Sequence, residues 1–190
     1  MLSDMFQQGN SQPKQPLTPL ETAEAFFALL PKSLTQKTLD QYGLALTAEQ
    51  AQQVSRELLA LTLYWVQAAL TAHYKDIGNV LVTPELHRLL RERWTTVFRM
   101  PAAGWRTFLT DAEARRRDYL EVAEQGGGQI DIGNRAVARM ESDWVIRSEQ
   151  KAALLSLIVD LVPMEAVGKF VEALELIPPP EARGASVPHR

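Results

Sequence analysis

The chain has 190 residues, a formal net charge of −3 and a pI near 5.7, so its overall charge draws it neither to nucleic acid nor to an anionic membrane. Hydrophobic residues make up 46% and charged residues 23%, the balance of a soluble globular domain with a sizeable core. With no cysteine, disulfides, thiolate metal sites and cysteine nucleophiles are excluded.

Residues 1–16 are rich in Gln, Pro, Ser, Asn and Gly, a composition that predicts a flexible tail. Leu2, Met5 and Phe6 gather at its tip and make a candidate docking peptide. The stretch lacks a basic region followed by an apolar one, so it does not read as a secretion signal, and a cytoplasmic chain is expected.

Thr18-Pro19-Leu20-Glu21 is a helix start, with Thr18 as cap, Pro19 in the first turn and Glu21 closing the capping box. Leu20, Ala23, Phe26, Phe27 and Leu30 share one face, and Pro31 ends the helix. A short second helix opens at Ser33 or Thr35 and stops at Gly43. The third, from Thr47 to about Lys75, is the helix around which the others are expected to pack. Thr47 and Gln50 make a capping box, and Leu58 to Leu70 is apolar apart from Thr62 and Gln67. A helix apolar on nearly every side is buried, and this apolar run is too short to cross a bilayer.

Residues 76–82 read as a loop turning on Gly78 and Asn79. Thr83-Pro84-Glu85 repeats the capping signature and predicts a fourth helix over 84–99, with Leu86, Leu89, Leu90, Trp94, Val97 and Phe98 at helical steps. After Pro101 a fifth helix spans 102–124 and ends at three glycines. Gln129 to Asn134 alternates and reads as one extended segment without a partner strand. A sixth helix runs from 134 to 161, with a break near Ser142, and a last one from Met164 to Leu176. The Pro-rich stretch 178–190 reads as a second flexible tail. The fold class is therefore all-α: one compact bundle of about seven helices over 17–177, between flexible tails.

Charge is unevenly spread. Between His87 and Arg117 stand eight arginines against three acids, a local +5 in a chain of −3. Arg88, Arg91, Arg93, Arg99, Arg106, Arg115 and Arg117 form a candidate basic face, suited by the planar guanidinium to phosphate or carboxylate. Arg116 falls nearer the apolar face of its helix and is expected against a carboxylate. His73 and His87 flank the 76–82 loop, yet no metal-binding spacing such as H-E-x-x-H is present. Gly126 to Gly128 lacks the G-K-[ST] ending of a phosphate loop. No catalytic, cofactor or metal site is nominated. The expected role is a non-enzymatic interaction or scaffold subunit of a bacterial-type cytoplasmic complex, with a protein partner or a second copy. The alternative is a nucleic-acid-binding protein that uses the arginine face of helices 84–99 and 102–124. The two differ in whether the arginines are met by acids or lie open.

Overall fold

The computed structural model describes residues 15–177. Leu2, Met5 and Phe6 lie outside them. Helix starts follow the capping chemistry of the sequence. In α1 (Pro19–Leu29) the Thr18 hydroxyl accepts from the Glu21 N–H, and the Glu21 carboxylate accepts from the Thr18 N–H at 2.8 Å. α2 (Gln36–Gln41) is capped by Thr35, and Gly43, at φ 68°, turns the chain out of it. α3 (Ala48–Glu92) begins at the Thr47–Gln50 capping box.

α3 is not one straight rod. Lys75 sits at φ 53° and ψ −146°, and there the helix reverses. Asn79 Nδ2 donates to the Gln67 carbonyl at 3.2 Å and to Thr71 Oγ1 at 2.6 Å. In a continuous helix residues 67 and 79 would lie about 18 Å apart along the axis. α3 is thus a helical hairpin: a first arm over 48–74, one reversing residue, and a returning arm over 76–92. This corrects the expectation for 76–82, which is helical and not a loop. Gly78 is a contact residue instead of a turn residue. A Cβ there would lie 2.9 Å from Tyr74 Cβ and 3.3 Å from Leu70 Cβ, so its bareness lets the two arms close. Pro84 lies inside the returning arm and not at its start. It is exposed, where a missing backbone donor costs least. The arm ends at Glu92, short of the expected 99, and residues 93–97 form turns.

The remaining helices are α4 (Gly104–Glu124), α5 (Gln129–Ser142), α6 (Lys151–Leu161) and α7 (Met164–Ala173). α5 corrects the extended reading of 129–134. The Asp131 carboxylate accepts from the Gly128 N–H at 2.8 Å, and Ile132, Ala136, Val137 and Met140 form a buried helical stripe. The expected break after Ser142 is present, and α6 resumes at Lys151. α7 stops at Ala173. Leu174–Leu176 is a strand, β2, paired in parallel with β1 (Gln15–Leu17). The sequence reading placed no strand at either position, and it assigned Gln15 and Pro16 to the tail.

The first arm of α3 divides the core. On one side α1, the returning arm, the Trp94–Phe108 segment and α7 pack around Phe26, Leu63, Leu70 and Leu90. On the other, α2, α5 and α6 pack around Leu58, Leu61, Tyr119 and Leu157. Every residue from Leu58 to Tyr64 is buried, as an all-round apolar helix requires. Thr62 is satisfied inside the helix by the Leu58 carbonyl at 2.8 Å. The all-α class is therefore the observed one.

The reversal generates a paired prediction. Lys75 occupies a backbone region in which only glycine is unstrained, so Lys75→Gly is expected to raise unfolding free energy by about 1 kcal/mol. Gly78→Ala forces the arms apart and is expected to lower it by about 1–3 kcal/mol. Urea denaturation of both variants measures the two signs.

Candidate interaction surfaces

The eight arginines divide into two groups. Arg88 lies between Glu85 (2.9 Å) and Glu92 (2.7 Å). Arg116 holds Glu113 at 2.8 Å, and Arg117 is 3.7 Å from the same carboxylate. These hydrogen bonds, Arg116 foremost, hold the Glu113 carboxyl below its ordinary value. Arg115 is the buried member, where the sequence reading favoured Arg116. Its Nε contacts Glu57 Oε2 at 2.5 Å, with side-chain exposures of 13% and 1% for the two residues. The Tyr119 hydroxyl donates to the other Glu57 oxygen.

Burial alone would lower the Arg115 pKa, yet Glu57, with Tyr119 and Asp111, offsets this and leaves it raised. Burial, and then the Glu57 charge, push the Tyr119 hydroxyl well above its usual value, so it stays a donor. Glu57 went unremarked in the sequence because it sits in the polar first half of a helix. Its signal was its spacing, four residues before Leu61 and three after Val54, on the buried stripe. Glu57 is almost wholly buried and bonded to both Arg115 and Tyr119, so the trio reads as a structural clasp between α3 and α4.

Arg91, Arg93, Arg99 and Arg106 have no carboxylate within ion-pair reach among the described residues. They do not share one surface. Arg93 lies over the Phe27 ring at 5.3 Å, and Lys32 Nζ over the same ring at 4.8 Å. Arg99, at φ 54°, lines a cavity with Ser33, Gln36 and Thr47. Arg91 and Arg106 line a common pocket, beside Trp94 and Trp105.

A different surface emerges where the returning arm and α4 part. They meet at one end through Trp94, which contacts Trp105 (5.3 Å between centroids) and Phe108 (4.9 Å). Toward the reversal an open groove of about 750 Å³ separates them. Tyr64, Gln67, Ala68 and Thr71 of the first arm form its floor. Asn79, Val80 and Thr83 form one wall, and Arg116, Leu120 and Ala123 the other. Val80 is 68% exposed, and neighbouring Ile77 is 63% exposed. Elsewhere, Trp144 follows α5 at φ 58° and is 89% exposed, in a position that ordinarily takes glycine.

His73 is exposed, while His87 is half-buried against Ala60, Leu63 and Glu113. The described residues contain no group of three metal-ligating side chains. No described helix is long and apolar enough to cross a membrane. Comparison with protein-family models, with curated proteins and with solved structures finds no match.

Two outcomes follow from the buried groups. Glu57→Gln leaves Arg115 with only the more exposed Asp111 carboxylate at 3.8 Å and is expected to cost about 3 kcal/mol, whereas replacing Glu57, Arg115 and Tyr119 together by Leu, Met and Phe recovers most of it. Chemical denaturation of the single and triple variants tests this.

Burial holds the His87 pKa below its ordinary 6.5, with Glu113 opposing. The unfolded chain then takes up the proton first. Stability is expected to be full above pH 6.5 and to fall as the pH drops from there toward the lower folded value. His87→Leu should flatten the melting temperature between pH 7 and 5.

Proposed function

We propose that the chain is a non-enzymatic protein-interaction subunit that receives an amphipathic helix of a partner in the groove between the returning arm and α4. The observation that carries this reading is the groove itself. Two helices form its walls, a third its floor, and the large apolar side chains Val80 and Leu120 on its walls are open to solvent. Bundles close such a space with a further helix, and helix-in-groove recognition uses an apolar stripe in the same way. Asp76 and Arg116 at the margin offer polar contacts for the rim. The alternative, nucleic acid laid along the arginines, has less to rest on. Four of the eight already face acids of this chain, and of the other four Arg91 and Arg106 share one pocket while Arg93 and Arg99 lie at two other places.

The test is a photo-crosslinking amino acid placed at position 80 in cells, with exposed Glu172 of α7 as control position. A discrete adduct is expected from position 80 and none from 172. Leu120→Glu should abolish it while changing folding stability by no more than about 0.5 kcal/mol. The adduct mass separates a second copy from a different chain. Equal yields at 80 and 172, or an adduct that survives Leu120→Glu, overturn the reading.

A further inference from the structure

We infer that the pocket between the end of α3 and the start of α4 is a binding site for a small phosphate monoester with a planar body. The pocket is open, about 560 Å³, and lined by Arg91, Trp94, Thr95, Ala103, Trp105 and Arg106. Arg91 and Arg106 are exposed, with no carboxylate in ion-pair reach among the described residues. A third guanidinium lies against the first residue of α4, outside the lining of the pocket. Arg56 packs on Gly104 so closely that a Cβ there would lie 2.5 Å from Arg56 Nη2. The Arg56 Nε is buried and has no hydrogen-bond partner among the described residues.

The first turn of α4 adds to the same field. It has no capping side chain and no acid, and although the Gly104 and Trp105 N–H groups donate to the Pro101 and Ala102 carbonyls, no side-chain charge opposes the positive end of the helix dipole there. Two guanidinium groups thus share one pocket beside a helix N-terminus, with no carboxylate in ion-pair reach among the described residues. Such a gathering is electrostatically unfavourable until an anion enters it. Guanidinium forks match phosphate oxygens in pairs, and a dianion answers two of them.

The aromatic wall decides the rest of the ligand. Trp105 is half-buried and lines the opening, so its indole offers a flat face beside the arginines. Trp94 is committed, since its Nε1 donates to the Pro101 carbonyl at 2.9 Å. A ligand with a phosphate at one end and a ring at the other fills both parts. That chemistry is shared by a free nucleotide and by the phosphorylated end of a strand. The site stands apart from the apolar groove, and each can fail without the other.

The test titrates the full chain with AMP, adenosine and inorganic phosphate, read by tryptophan fluorescence and by thermal shift. AMP is expected to saturate, phosphate to bind more weakly and adenosine not to bind. Arg91→Gln combined with Arg106→Gln should weaken AMP by at least about tenfold, because both charge-assisted forks are lost. Arg117→Gln, a distant exposed arginine, should titrate like the parent. Trp105→Leu should remove the advantage of AMP over phosphate.

The paired arginine variant carries the test alone if Trp105→Leu disturbs packing on Trp94. A 5′-phosphorylated oligonucleotide that binds more tightly than AMP, while its dephosphorylated form does not, supports the site and assigns its phosphate to a strand end. No saturation with AMP below about 10 mM, or equal binding by parent and paired variant, overturns the proposal.

Discussion

One residue sets the geometry on which the other elements depend. Lys75 takes a backbone conformation that ordinary side chains avoid, and in doing so lays the second part of α3 against the first. The arrangement closes because Gly78 presents no side chain to Tyr74 and Leu70, and because Asn79 satisfies its amide on the carbonyl and hydroxyl of the opposite arm. The two arms are thus tied by a side-chain amide next to the reversal, without a loop between them. Once the arms are antiparallel, the turn at 93–103 brings α4 back over them, and the aromatic contact of Trp94 with Trp105 and Phe108 pins that end. The pocket at the pinned end and the groove at the open end are both products of this one fold-back.

Capping and burial were largely legible before the structure. Thr18, Thr35 and Thr47 cap as their neighbours predict, since the chemistry is confined to four residues. The apolar run after Leu58 is buried all round for the same local reason. The misreading at 76–84 shows where local chemistry stops. Thr83-Pro84-Glu85 has the composition of a helix start, but the backbone donors around it were already satisfied by a helix arriving from Asp76. The segment 129–134 carries both a two-residue and a four-residue apolar period. Packing of Ile132 and Ala136 against α6 chose between them, with Gly133 letting Leu155 approach. The strand pair was invisible because each strand exists only through the other, at opposite ends of the chain.

The candidate surfaces were less legible than the fold, and charge was the reason. A run of arginines in sequence carries no information on which side of two helices each one leaves. Arg115 and Arg116 are neighbours, yet one is buried against a carboxylate of α3 and the other is bound to Glu113 within its own helix. Glu57, which decides the fate of Arg115, stands 58 residues away. The apolar groove escaped notice for the complementary reason: Val80 lay in what read as a loop, where an exposed valine has no neighbours. Trp144 shows a similar disregard for local preference, holding a large ring in solvent at a backbone position that favours glycine.

The parallel pairing of Gln15–Leu17 with Leu174–Leu176 has a mechanical consequence. Both strands run the same way, so the chain enters the domain at one end of the pair and leaves at the other. Tension applied through the two flanking segments therefore slides the strands past each other instead of unzipping them. In that shear geometry the backbone bonds of the pair, including Ile177 N–H to the Leu17 carbonyl at 2.9 Å, bear the load together. The helices behind them feel no force until the pair lets go. A protein tethered at both ends in this way has a clasp across its terminal strands, and the α3 hairpin is shielded from pull by a sheet of only six residues.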